Sequence, residues 1–167
     1  MSAPLKVRLY GDPCLRKVSS PIKEIGPAER ILIQSMIVTM HEYKGIGLAA
    51  PQVGINQRLF IADIGQGAIA IINPQILNKS GSVEMEEGCL SIPEVNIKVR
   101  RAQKIHVKYL DENNNERESV FEDLLARVIL HETDHLDGKM IPDYANSFEK
   151  GKYEKQLMKL EALYIEK

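Results

Sequence analysis

Apolar positions along this chain change their period several times, and each change marks an element. Between residues 27 and about 43, Ile31, Met36, Ile37 and Met40 recur at helical spacing, and Pro27 suits a first helical turn. This stretch is predicted as an N-terminal helix that ends at Gly45, and Asp12, Pro13, Leu15 and Arg16 predict a short helical turn before it. Residues 58–63 and 68–73 are short β-branched runs separated by Gly65 and Gly67, which predicts two strands and a turn. A second strand pair is expected at 95–101 and 104–110, then a polar turn at 111–115 and a short strand through Val120.

From about residue 122 to 136 the pattern is helical. At about 100° per residue, Leu124, Val128, His131 and His135 form a narrow stripe, and Leu125, Ile129 and Leu136 widen it on the Glu132 side. A helix with histidines on its apolar face is expected to run through the core beneath a cleft, with both imidazoles largely buried. Gly138 stops it, and Pro142 follows. The stretch 147–165 is predicted as a C-terminal amphipathic helix with Tyr153, Leu157, Leu160 and Tyr164 on one face. The order of strands and flanking helices gives an α+β class, with antiparallel or mixed sheets around the central helix.

Composition narrows the picture without changing it. The chain has 167 residues and 44% hydrophobic content, which fits one domain spanning 1–167. Formal net charge is -1 with scattered charges, so no basic surface recommends nucleic acid, and no specific DNA partner is expected. No apolar run has signal-peptide length at the start or spans a bilayer elsewhere, so a soluble cytoplasmic protein without a membrane partner is expected. Cys14 and Cys89 could pair only once, and a domain of this size needs no disulfide; both are read as reduced thiols.

Candidate chemistry begins at His131-Glu132-Thr133-Asp134-His135. Histidines four apart on a helix reach one divalent ion, and the carboxylate after the first lies beside it, an arrangement suited to hydrolysis. The five residues alone also fit two core histidines bonded to carbonyls. Beyond them, the position where HExxHxxGxxH proteases have a third histidine holds Ile141. A zinc endopeptidase would then take a downstream carboxylate, for which Glu149, Glu154 and Glu161 are available. The upstream candidate is Cys89, in Glu87-Gly88-Cys89-Leu90-Ser91: a thiolate and two imidazoles leave one open tetrahedral position. Small Gly88 lets backbone approach the ion, although an isolated cysteine is often only a small buried hydrophobe, as Cys14 is read.

A third segment, Gly45-Ile46-Gly47-Leu48-Ala49-Ala50-Pro51-Gln52, alone reads as a tight turn followed by a loop amide. With the other two, in this order and spacing, it resembles the peptide deformylase family, whose motifs are GxGxAAxQ, EGCxS and HExDH. The likeness extends to Gly11-Asp12-Pro13 with Leu15-Arg16, to Ser91-Ile92-Pro93 and to Leu136-Asp137-Gly138, and so covers most of the chain. It is similar to the branch with a C-terminal helix.

The resemblance implies a metal-dependent hydrolase that removes the formyl group from the N-terminal formylmethionine of nascent polypeptides during protein biosynthesis and releases formate. It implies one divalent ion, usually Fe²⁺ with Zn²⁺, Ni²⁺ or Co²⁺ accepted, on Cys89, His131 and His135. Glu132 would shuttle the proton, and the Gln52 amide with the Leu90 N–H would hold the oxyanion. Backbone at Gly45, Ile46 and Gly47, and the segment after Cys89, would receive an extended peptide as an added strand, with Gly88 a further substrate-binding residue. The methionine pocket would include Ile46, Leu124, Arg127 and Val128, with the Arg127 stem as wall and its charge solvated or paired, Asp123 being the i,i+4 partner at hand.

Other residues carry smaller expectations. Glu87 and Arg101 resemble a family ion pair that steadies the cysteine strand. Asp134 either orients a neighbour or is surface charge, and His41 and His106 are read as non-ligands. Leu130, Thr133 and Asn96 depart from residues common in the family. Lys150, Lys152, Lys155 and Lys159 offer the C-terminal helix a transient ribosome contact, against the plainer reading of a solvated face. Two other functions stay open at this point, the endopeptidase and a metal-stabilised binding module without catalysis.

Overall fold

The computed structural model describes residues 3–165. Helix α1 (Pro27–Glu42) begins with Pro27 in its first turn, and the Glu29 carboxylate accepts the Gly26 N–H at 3.3 Å. Its inner face is Ile33, Met36 and Met40, whereas Ile31, grouped with them by spacing alone, is 63% exposed. Among the described residues seven strands follow: β1 (Gly47–Ala49), β2 (Leu59–Ala62), β3 (Ile69–Ser80), β4 (Val83–Cys89), β5 (Ile92–Arg101), β6 (Lys104–Leu110) and β7 (Glu116–Glu122). The first sheet has the order β1-β2-β3-β6-β7, and β4 and β5 form a separate hairpin. Among the described residues the pairings between these strands are all antiparallel, and one isolated parallel bridge joins Ser20 to Gln57.

Helix α2 (Asp123–Leu136) lies against β1 and β2, where Ala126, Ile129, Leu130 and Leu136 share a core with Phe60, Ile71 and Val107. Leu130, a departure from the family pattern, is therefore core. Helix α3 (Ser147–Ile165) packs Leu160 against Ile92, Val95, Ile97 and Val99 of β5. Of its four predicted inward residues, Tyr164 is 40% exposed. The α+β class with a central helix and helices at both ends is the observed architecture.

Three local readings change. β3 runs on to Ser80, past the predicted end at residue 73, because bulges between Ile72 and Gln75 and between Ile76 and Asn78 let it bend and stay paired with β6. The segment ending in Cys89 is a strand, and part of the glycine segment is the edge strand β1. Asn73 and Asn114 both have positive φ, and each exchanges two side-chain hydrogen bonds with one backbone residue, Ile22 and Ile25 respectively. Those amides tie the irregular chain before α1 to the first sheet as a missing strand would.

The β6–β7 turn depends on Asp111. Its Oδ1 accepts N–H groups of Asn113 and Asn115 at 2.8 and 3.0 Å, and Oδ2 accepts Arg117 Nε at 2.8 Å. The Arg117 contact, aided by the two N–H groups against some desolvation, holds the Asp111 carboxyl down at about 2. A lowered folded pKa stabilises fully above the ordinary carboxylate range and is lost as pH falls through about 2. Asp111→Ala is expected to cost about 1 kcal/mol at pH 7. In urea unfolding the gap from wild type should narrow from pH 5 towards pH 2.5. A constant gap would show that ionisation of Asp111 contributes nothing.

Candidate active site

Three elements converge beneath a cavity of about 520 Å³. Helix α2 supplies His131, Glu132 and His135, the end of β4 supplies Cys89, and a short helical turn (Ala50–Val53) supplies Gln52. His131 and His135 stand on one face, four residues apart, with ring centroids 5.1 Å apart. One ligand atom each from Cys89, His131 and His135 lies within 4.8 Å of the others, and Cys89 Sγ is 3.4 Å from His135 Nε2. A soft thiolate and two imidazoles suit a borderline transition metal better than Mg²⁺ or Ca²⁺, so the donor set fits a resident Fe²⁺ or Zn²⁺.

Glu87 organises this cluster from below. Its Oε1 faces His131 Nδ1 at 2.8 Å and accepts Arg101 Nη2 at 2.9 Å; Oε2 accepts Arg101 Nε and Arg127 Nη1, both at 2.6 Å. Burial alone opposes ionisation, but the hydrogen bonds from His131 and Arg101 outweigh it and hold the Glu87 carboxyl at about 2. An ionised Glu87 offers only acceptors, so His131 donates through Nδ1 and directs the Nε2 lone pair at the cluster.

Glu132 is 4% exposed, its Oε2 lies 3.9 Å from His131 Nε2, and its Oε1 has no hydrogen-bond partner in the described residues. Burial pushes its carboxyl up to about 7 against the pull of His131 and Arg101. A carboxyl that titrates near neutrality and has an oxygen free of protein partners has the chemistry to take up and release a proton. His135 Nδ1 likewise lacks a protein partner, and burial drives the His135 pKa well below its usual value, keeping the ring neutral and fit to ligate.

The glycines have steric reasons. A Cβ on Gly47 would lie 2.5 Å from Glu132 Oε2 and 2.8 Å from Val128 Cγ1, and one on Gly45 would lie 2.8 Å from Leu90 Cδ1. Bare backbone there lets β1 pass directly over the carboxylate. The Gln52 amide is oriented by the Ala49 N–H, which donates to Oε1 at 2.9 Å; Nε2 then faces Ser91 Oγ at 3.0 Å and Cys89 Sγ at 3.5 Å.

Gly45, Ile46, Gly47, Gly88, Leu90, Leu124, Arg127 and Val128 line the cavity with Cys89, His131 and Glu132. Gln52 and His135 lie beneath it, each 1% exposed. Apolar Met85, Ile92 and Val95 and the charges Lys44, Glu86 and Glu94 also line the cavity, none of them expected from the sequence as pocket wall. Met85 carries no local signal, since the acid at Glu87 interrupts the apolar alternation along 83–89.

Several charges sit elsewhere than expected. Arg127 does not pair with Asp123, which instead accepts Gln103 Nε2 at 3.2 Å; its charge is buried on Glu87. Asp134 accepts Arg101 Nη1 at 2.9 Å and the Tyr144 hydroxyl at 2.6 Å, so it is an orienting group. Glu149, offered as an alternative ligand, is 9% exposed and accepts the N–H groups of Lys98 at 2.8 Å and Asn146 at 3.2 Å. It caps α3 and docks it on β5. His41 pairs with Asp63 and His106 with Glu118, both away from the cluster. Burial pushes the Cys14 thiol up to about 12, and its Sγ donates to the Pro51 carbonyl at 3.4 Å, which leaves it inert.

Known proteins share this arrangement of sequence and fold. A family model described as polypeptide deformylase matches residues 4–151. The peptide deformylase of Thermotoga neapolitana is 46% identical over 139 residues, covering 83% of this chain and 85% of that protein. That of Caldanaerobacter subterraneus is 47% identical over 137 residues, covering 82% and 86%. The crystal structure of a peptide deformylase from Legionella pneumophila superposes with a TM-score of 0.90 at 37% identity, covering 99% of both chains. A match over most of the sequence, joined to superposition over nearly the whole fold, places this chain in the polypeptide deformylase family.

Proposed function

We propose that this chain, acting as a single catalytic domain over residues 1–167, removes the formyl group from the formylmethionine at the start of newly made polypeptides and releases formate. The observation that carries this reading is the unpartnered Glu132 Oε1, buried beside a Cys89, His131 and His135 cluster that fits one divalent ion. We take that ion to be Fe²⁺, with Zn²⁺, Ni²⁺ or Co²⁺ able to replace it. When bound, it supplies positive charge that acidifies water and polarises the formyl carbonyl.

The residues do the rest. Glu132 accepts a proton from the attacking water as the new C–O bond forms, then delivers it to the peptide nitrogen as the C–N bond breaks. Gln52 Nε2, held by the Ala49 contact, and the Leu90 N–H donate to the oxygen that gains charge. The peptide adds along the outer edge of β1, which pairs with β2 on one side only, and meets the bare backbone of Gly45, Ile46, Gly47 and Gly88. Backbone recognition suits a substrate that varies after its first residue. The methionine side chain enters between Ile46, Leu124, Val128 and the Arg127 stem.

No helix among the described residues is long and apolar enough to cross a membrane. The enzyme would act in the cytoplasm beside the ribosome, and the lysines at 150, 152, 155 and 159 on α3, all exposed, suit a transient contact with ribosomal RNA. An endopeptidase is disfavoured because Glu149 is spent on capping α3 and Cys89 occupies the place of a third ligand. A silent metal module has no use for a buried, unpartnered carboxylate at the cluster. Protein reconstituted with Fe²⁺ without oxygen is expected to release formate from formyl-Met peptides and to leave internal peptide bonds intact. Metal-loaded protein that yields no formate would sink this proposal.

A further inference from the structure

Arg127 is a buried charge in the pocket wall for which the proposed proton transfers have no use. It is 6% exposed and lies on α2 one turn before His131. Its Nη1 donates to Glu87 Oε2 at 2.6 Å and to the Val99 carbonyl at 2.9 Å, and its Nη2 donates to the Val83 carbonyl. One guanidinium therefore grips both strands of the β4–β5 hairpin. His131, four residues later on the same helix, meets the other oxygen of Glu87 at 2.8 Å. Two residues after Glu87, β4 presents Cys89 to His135.

We propose that Arg127 is a positioning residue for the metal site: by fixing β4 against α2 at Glu87, it sets the spacing between the cysteine and histidine ligands. This rests on reading Cys89, His131 and His135 as the ligand set. Arg101 cannot replace it, because Arg101 belongs to β5 and moves with the hairpin that must be held. Asp134 adds a tie from α2 to Arg101 at 2.9 Å, but that tie reaches the partner strand and shares its oxygen with the Tyr144 hydroxyl. Without Arg127, the direct hold of α2 on Glu87 falls to His131, which is itself a ligand.

Charge and geometry make opposite forecasts here. Glu87 and Asp134 against Arg101 and Arg127 form a neutral group of four. Removing Arg127 makes the surroundings more negative, which by Coulomb attraction alone would tighten a cation. Loss of metal in Arg127→Met would therefore report lost geometry.

The test follows Co²⁺ release to a chelator from wild type, Arg127→Met and Arg127→Lys, with the visible absorption bands of bound Co²⁺ as a second readout. Arg127→Met is expected to release the ion about tenfold faster or more, the range for partners that orient ligands, with altered Co²⁺ bands. Arg127→Lys should fall between the two and decides the matter if Arg127→Met does not fold. A release rate within twofold of wild type with unchanged bands overturns the proposal, even if the metal-free variant melts lower, since Arg127 would then only brace the sheet. A wild type that takes up no Co²⁺ would overturn the ligand reading and this inference with it.

Discussion

Glu132→Gln is expected to lower formate release by about three orders of magnitude or more, within the span typical of a lost general acid–base group, while metal stoichiometry stays at the wild-type value. Cys89→Ala should do the reverse in kind: the ion is lost first, and activity follows it. The two variants separate because the side chains meet the cluster differently. Cys89 Sγ is one of three ligand atoms within 4.8 Å of each other, whereas Glu132 Oε1 stands beside them with no partner. Glutamine fills the same space under Gly47, where a Cβ would lie 2.5 Å from Glu132 Oε2, so the pocket keeps its shape and only the proton carrier goes. Metal analysis of purified variants and formate assays on metal-loaded protein check both. Full metal retention in Cys89→Ala would move the third ligand elsewhere, and substantial turnover in Glu132→Gln would remove the proton shuttle.

The second large effect is expected at Glu87 and concerns folding before catalysis. Four contacts converge on its two oxygens, from His131 at 2.8 Å, from Arg101 at 2.6 and 2.9 Å and from Arg127 at 2.6 Å. Glu87→Ala leaves two buried guanidinium groups without that carboxylate, and breaking one side of a buried ion pair costs about 3–5 kcal/mol. For a domain of this size that lowers the melting temperature by roughly 10 °C. Glu87→Gln is milder but still harmful, since its amide offers one oxygen and an NH₂ where two accepting oxygens stood.

A pH dependence follows with a definite sign. The folded Glu87 carboxyl is held at about 2, below its ordinary 4.5, so its contribution is whole above pH 4.5 and disappears as pH falls through about 2. Urea unfolding of the metal-free proteins is the measurement. A loss below 1 kcal/mol for Glu87→Ala would mean that water reaches and rescues the two arginines.

Much of the site is legible along the chain because its spacing is local. The i,i+4 relation of His131 and His135 and the apolar stripe under them need only helical geometry. β4 was hidden for a physical reason: Val83, Met85, Glu87 and Cys89 alternate along one strand, but the third of them is an acid, and a buried charge breaks the apolar period used to find strands. β1 is only three residues long, too short to show any period. Arg127 misleads in another way. Its neighbour in helix spacing is Asp123, yet Asp123 has φ +54° at the helix start and meets Gln103, while a carboxylate 40 positions away in sequence takes the guanidinium.

The chain alone carries the α+β class, the helix that bears His131 and His135 with Glu132 beside them, and two further segments, one with Cys89 and one with Gln52 and the bare backbone of Gly45 and Gly47. The class and the helix follow from local periodicity and side-chain chemistry, and the Gln52 and glycine segment from its resemblance to a family motif; none of these depends on distant neighbours. Folding settles what the other buried charges do: Glu87, expected to meet Arg101, also takes Arg127 and His131, Asp134 turns to Arg101 and Tyr144, and Glu149 caps α3 on β5. A buried charge goes wherever the fold brings an opposite charge or a free hydrogen-bonding group within about 3 Å, and that meeting is set by how β4 and β5 lie on α2, a relation no window of the chain contains.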